Sequence, residues 1–179
     1  GSLANIDIIN KIVEVTSKIN REICVAINRK GSVIGISIGD SNTASLPIID
    51  TSKSKLSGVR IIHTHPNSSA KLSNVDISAL QAMRLDVISA IGITDDKITG
   101  VSLGFCKFID GELSYEESPI LTIDEIESMD LSGKYEKIEK EFRENEIKED
   151  NLERAIIVGI DTEESLNELK ELADACDIK

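Results

Sequence analysis

The sequence predicts an α+β fold, a mainly antiparallel or mixed sheet flanked by helices, with a charged helical extension at its C-terminal side. Three observations predict it. The chain opens with apolar residues at helical spacing, continues with short β-branched runs that are separated by turn residues and broken once by a helix, and changes near Pro119 to a stretch rich in Glu, Asp and Lys.

In residues 5–20, Ile8, Ile9, Ile12, Val13 and Ile19 fall close to helical spacing with Lys11, Glu14 and Lys18 between them, which predicts an amphipathic helix capping a sheet. Residues 22–28 are rich in β-formers, Arg29-Lys30-Gly31-Ser32 supplies turn chemistry, and residues 33–38 resume a β-branched run, so a hairpin is expected. Residues 39–58 read as a long surface loop with one apolar interruption at 46–49, before a short strand from Val59 to Ile62. Ser73 stands where a helix N-cap belongs, with Asp76 in the first turn of a helix that runs to about Arg84. A strand over 87–93, a turn at Thr94-Asp95-Asp96-Lys97, a long strand over 98–109, the turn signal Asp110-Gly111 and a last strand over 112–115 complete the domain. Three segments follow: a domain over 1–118, a charged helical linker over 119–152, and a strand and helix over 153–179 that are too little to form a domain alone.

At 179 residues and 40% apolar, the chain is long enough to bury a core. Its net charge of −12 opposes binding to phosphate backbones, so nucleic acid is not expected as a direct partner. No apolar run approaches the roughly 18 residues of a membrane span, and the N-terminus lacks a secretory pattern, so a cytoplasmic location is expected. Gly1-Ser2 reads as a tag remnant, and the natural protein is expected to be longer. Cys24, Cys106 and Cys176 are odd in number and widely spaced, which suggests buried small hydrophobes rather than disulfides or a thiolate metal site.

His63 and His65 are the only histidines, and two residues apart on a strand they face one spot, an arrangement suited to a cation. Asp76 would add a hard oxygen ligand, leaving one tetrahedral position for water, as catalytic zinc sites do. A nearby carboxylate is then needed to handle the proton.

His63-Thr64-His65-Pro66, six residues, Ser73, two residues and Asp76 reproduces the signature H-x-H-P-x(6)-S-x-x-D, and over residues 5 to about 115 the chain resembles the JAMM (MPN) metallopeptidases, RadC-like members included. The resemblance implies a JAMM or cytidine-deaminase-like sheet, Zn2+ held by His63, His65 and Asp76, Glu22 as acid and base, and Ser73 as the group that steadies the oxyanion. Hydrolysis of a peptide or isopeptide bond in a peptide or protein substrate is the activity it implies. Substrate identity does not transfer, because family members act on different substrates. Without the neighbouring histidines, Ser73 and Asp76 would read as an N-cap with a favourable first-turn carboxylate, and Glu22 as an exposed strand-end charge. Ser68 and Ser69 have no third histidine to act as a base for a serine nucleophile.

The tail, Leu152-Glu-Arg-Ala-Ile-Ile-Val-Gly-Ile160 followed by Ser165-Leu-Asn-Glu-Leu-Lys-Glu-Leu-Ala173, is similar to the beginning of the HflX family of ribosome-associated GTPases. That resemblance implies an N-terminal region of a longer GTP-binding protein, with the GTPase domain as native partner and the ribosome reached through it. No G-x-x-x-x-G-K-[ST] loop occurs here, so no GTPase activity is expected of these residues. A non-catalytic metal-binding interaction or regulatory module of that GTPase is the competing expectation. Nucleobase deamination also uses zinc and glutamate but needs a P-C-x-x-C motif, which this sequence lacks.

Overall fold

The structure is a computed structural model and describes residues 2–39, 55–67, 69–150, 167 and 170. The elements in chain order are α1 (Ile6–Ile19), β1 (Glu22–Asn28), β2 (Val33–Gly39), β3 (Val59–Pro66), α2 (Asn74–Ala82), β4 (Val87–Thr94), β5 (Lys97–Ile109), β6 (Glu112–Glu117), α3 (Ile123–Ser128) and α4 (Leu131–Asp150). The chain divides into two compact units, Gly1–Phe142 and Arg143–Lys179, and the whole sheet lies in the first. The loop expected over 39–58 falls largely outside the described residues, as do Ser68, Cys176 and, apart from positions 167 and 170, the strand and helix expected over 153–179.

The six strands form one mixed sheet in the order β2-β1-β3-β4-β5-β6. Hairpins make the outer pairs antiparallel, and β1 also runs antiparallel to β3. Only β3 and β4 are parallel, from Arg60 beside Val87 to Pro66 beside Ile93. A parallel pair needs a crossover of a dozen or more residues, and α2 with its flanking loops provides it. Two of the hairpins turn through consecutive left-handed residues, Asp95-Asp96 (φ 50° and 60°) and Asp110-Gly111 (φ 53° and 86°), the backbone that twisted two-residue hairpins prefer.

The central strands carry the core. Val87 to Ile93 of β4 are buried without alternation, as expected of a strand covered on both faces. Gly104 of β5 lets the α2 side approach: a Cβ built there would sit 2.9 Å from a Leu72 methyl and 3.0 Å from one of Ile88. α1 buries Ile9, Ile12 and Val13 against the sheet, whereas β2, an edge strand, leaves Ile34, Ile36 and Ile38 exposed.

The charged segment after Pro119 does not act as a linker over its first part. Ile126, Leu131, Tyr135, Ile138 and Phe142 are buried in the same core as the sheet. A side chain of this size contributes about 2 kcal/mol when buried, so a few at helical spacing outweigh the unfavourable composition of the rest of the helix. The compact unit therefore closes at Phe142 rather than at residue 118. Among the described residues no helix is long and apolar enough to cross a membrane.

Candidate metal centre

β3 delivers both histidines to one face of the sheet, because residues two apart on a strand project the same way. His63 is 8% exposed, and its ring meets that of His65 edge-on, with centroids 4.5 Å apart. β1 lies antiparallel beside β3, with Cys24 directly opposite His63, so Glu22 at the start of β1 projects to the histidine face. A carboxylate oxygen of Glu22 and one ring nitrogen from each histidine lie within 4.8 Å of one another.

Asp76 reaches the site from the first turn of α2. Its Oδ1 lies 3.3 Å from His63 Nε2. Its Oδ2 accepts hydrogen bonds from the Ser73 amide and the Ser73 hydroxyl, both at 2.7 Å, while the Asp76 amide donates to Ser73 Oγ at 3.3 Å. Ser73 is thus the N-cap of α2 in a reciprocal capping box, with its hydroxyl turned to the carboxylate.

The imidazoles are prepared differently. His65 Nδ1 lies 3.0 Å from the Ser69 carbonyl, which can only accept, so Nδ1 carries a proton and, of the two neutral tautomers, the one selected has its free lone pair on Nε2. His63 Nε2 is buried with no hydrogen-bond partner despite the nearby Asp76 oxygen. Burial pushes the His63 imidazolium down to about 4, with Asp76 opposing that shift and His65 adding to it, so the ring is neutral at pH 7. Burial likewise pushes the neighbouring Cys24 thiol up to about 12, aided by the negative charges of Asp76 and Glu22.

These donors fit a borderline-soft cation. An orphaned buried imidazole nitrogen is costly unless something accepts its lone pair, and a second imidazole with its tautomer fixed and two carboxylates stand beside it. The structure thus brings Glu22, His63 and His65 into one cluster, places Asp76 against His63, and sets Ser73 one bond further back.

Sequence reasoning missed the parts that hold these groups: Thr64 between the histidines, Thr16 beneath it, Asn20 and Asn67 at left-handed turns, and the Ser69 carbonyl. An alternating strand offered one signal, since the residue between two site histidines must point into the opposite layer. The chain matches no protein-family model, no curated protein and no solved structure.

Proposed function

We propose that this chain is a zinc-dependent hydrolase of the JAMM kind that cleaves a peptide or isopeptide bond, in the N-terminal region of a GTP-binding, HflX-like cytoplasmic protein. The observation that carries it is the convergence of Glu22, His63 and His65 within 4.8 Å, with Asp76 Oδ1 3.3 Å from His63 Nε2. His63, His65 and Asp76 would hold the ion. A zinc ion there supplies a Lewis acid and brings the ionisation of a water near neutrality.

Glu22 then takes the proton of the attacking water. As the water oxygen adds to the carbonyl carbon and the C–N bond breaks, that proton passes to the leaving nitrogen. Ser73 orients Asp76, and for its hydroxyl to steady the developing oxyanion it would have to turn away from Oδ2. The setting beside a GTPase, with the ribosome as a partner through it, rests on the sequence of residues 152–173 alone.

One observation favours the second reading, a non-catalytic metal-binding interaction or regulatory module. The Glu22 carboxylate is close enough to both imidazoles to be a ligand itself, which would leave no base. Elemental analysis after chelator-free purification tests both. The catalytic reading expects one zinc per chain in the wild type and in Glu22→Gln, and loss of zinc in His65→Ala. Peptidase activity on a panel of peptide and isopeptide substrates should then disappear in Glu22→Gln. Loss of zinc from Glu22→Gln would favour the module, and absence of zinc from the wild type would remove both.

A further inference from the structure

We propose that Thr64 is a positioning residue that fixes the Glu22 carboxylate relative to the two histidines. The inference rests on the reading of Glu22 as the group that handles the proton. Pairing of β1 with β3 stops at Cys24 opposite His63, two residues short of Glu22. Beyond that point β1 keeps a ladder only to β2, with Ile23 beside Ile38 and Glu22 beside Gly39. Nothing in the β1–β3 ladder would stop the start of β1 from swinging away from the histidines.

The Thr64 side chain takes over where the ladder ends. The Ile23 amide donates to Thr64 Oγ1 at 3.0 Å, and Thr64 Oγ1 lies 3.4 Å from the Ile23 carbonyl oxygen. The same hydroxyl lies 2.6 Å from Thr16 Oγ1 of α1, and both threonines are fully buried. A second pin sits on the other side of Glu22. Asn67 Nδ2 donates to Asn20 Oδ1 at 2.8 Å, and both asparagines have the left-handed backbone that this residue type tolerates. Glu22 is therefore bracketed, with Asn20 and Ile23 tied to Asn67 and Thr64. These are the residues that follow and separate the histidines. Carboxylate and imidazoles are thus held to one short segment, the end of β3 and the residue after it, at a site where small displacements cost activity steeply.

The test uses cobalt(II) as the metal probe and needs no substrate. Wild type, Glu22→Gln, Thr64→Ser, Thr64→Val and Asn67→Gly are each loaded with one equivalent, and visible absorption spectra are compared at one pH. The expected result is that all bind cobalt, that Thr64→Val reproduces the spectral change of Glu22→Gln, that Thr64→Ser keeps the wild-type spectrum, and that Asn67→Gly shifts part of the way. Adding Glu22→Gln to Thr64→Val should change nothing further. Exchange of the Ile23 amide should speed up about tenfold in Thr64→Val and not in Thr64→Ser.

A wild-type spectrum in Thr64→Val, alongside a changed one in Glu22→Gln, would overturn the positioning role and leave Glu22 its own. Failure of Glu22→Gln to bind cobalt, or a wild-type spectrum in it, would remove the reading of Glu22 on which the proposal rests. Should Thr64→Val not fold, Asn67→Gly decides, because that side chain is exposed, and an unchanged spectrum there counts against the proposal.

Discussion

Asp76 presents Oδ1 to His63 Nε2 at 3.3 Å while Ser73 holds its other oxygen with two hydrogen bonds. The helix cap and the histidine cluster share one carboxylate. Ser73→Ala should therefore do two things: cost about 1 kcal/mol of stability, as a lost cap does, and weaken zinc binding roughly 10-fold or more, as a lost orienting partner does. Thermal denaturation reads the first and a chelator competition titration the second. Unchanged zinc affinity would confine Ser73 to the cap.

The metal-free protein should lose stability on mild acidification because of His63. Its imidazole has a folded value of about 4 against an ordinary 6.5, so between those limits the unfolded chain binds the extra proton. Stability contributed by the neutral ring is complete above about 6.5, falls with pH, and is gone below about 4. Denaturant midpoints at pH 7.5 and pH 5 should differ in the apo wild type and differ less in His63→Gln.

Asp86 is fully buried, and Arg29 meets it with two hydrogen bonds of 2.6 and 2.9 Å while also bonding Glu139 of α4 at 2.6 Å. Arg29→Met takes both guanidinium hydrogen bonds from the Asp86 carboxylate, which keeps that of the Gly58 amide at 3.0 Å. The expected loss is about 2 kcal/mol, below the range for a wholly buried pair because the Arg29 side chain is 43% exposed. Urea denaturation measures it. Asp86→Asn in the Arg29→Met background should restore part of the stability by removing the unpaired charge.

Cys24 and Cys106 should resist alkylation in the native protein at pH 8. Burial pushes both thiols up to about 12, so almost no thiolate is present to react. Peptide mass mapping after iodoacetamide treatment should find both unlabelled until denaturant is added, and rapid native labelling of Cys24 would show that the floor of the histidine cluster opens.

Most of the secondary structure was legible because it is local. The β-branched runs at 22–28, 33–38 and 98–109, the Asp110-Gly111 turn and the Ser73 cap declare themselves within a few residues, and the elements from residue 5 to 117 end within two residues of expectation except the strand from Val59, expected to stop at Ile62, which runs on to Pro66 because it stays paired with β4. The helix from Asn74 stops at Ala82 because Arg84 turns left-handed, and the last strand runs on to Glu117 because it stays paired along β5. The charged segment misled for a different reason. Composition averages over the helix, whereas docking depends on the one face that carries Tyr135, Ile138 and Phe142.

By itself the sequence determined the alternation of elements, the pairing of His63 with His65 on one strand face, and the place of Asp76 in a first helical turn capped by Ser73, because spacing on a strand or at a helix start dictates direction. Only the tertiary structure decided how β1 comes to lie beside β3 with Glu22 near the histidines, that Ser73 serves Asp76, and that Thr64, Thr16, Asn20 and Asn67 tie the site together. Those relationships join residues as far as 48 positions apart, and no local periodicity encodes them. They follow from the order in which strands enter the sheet.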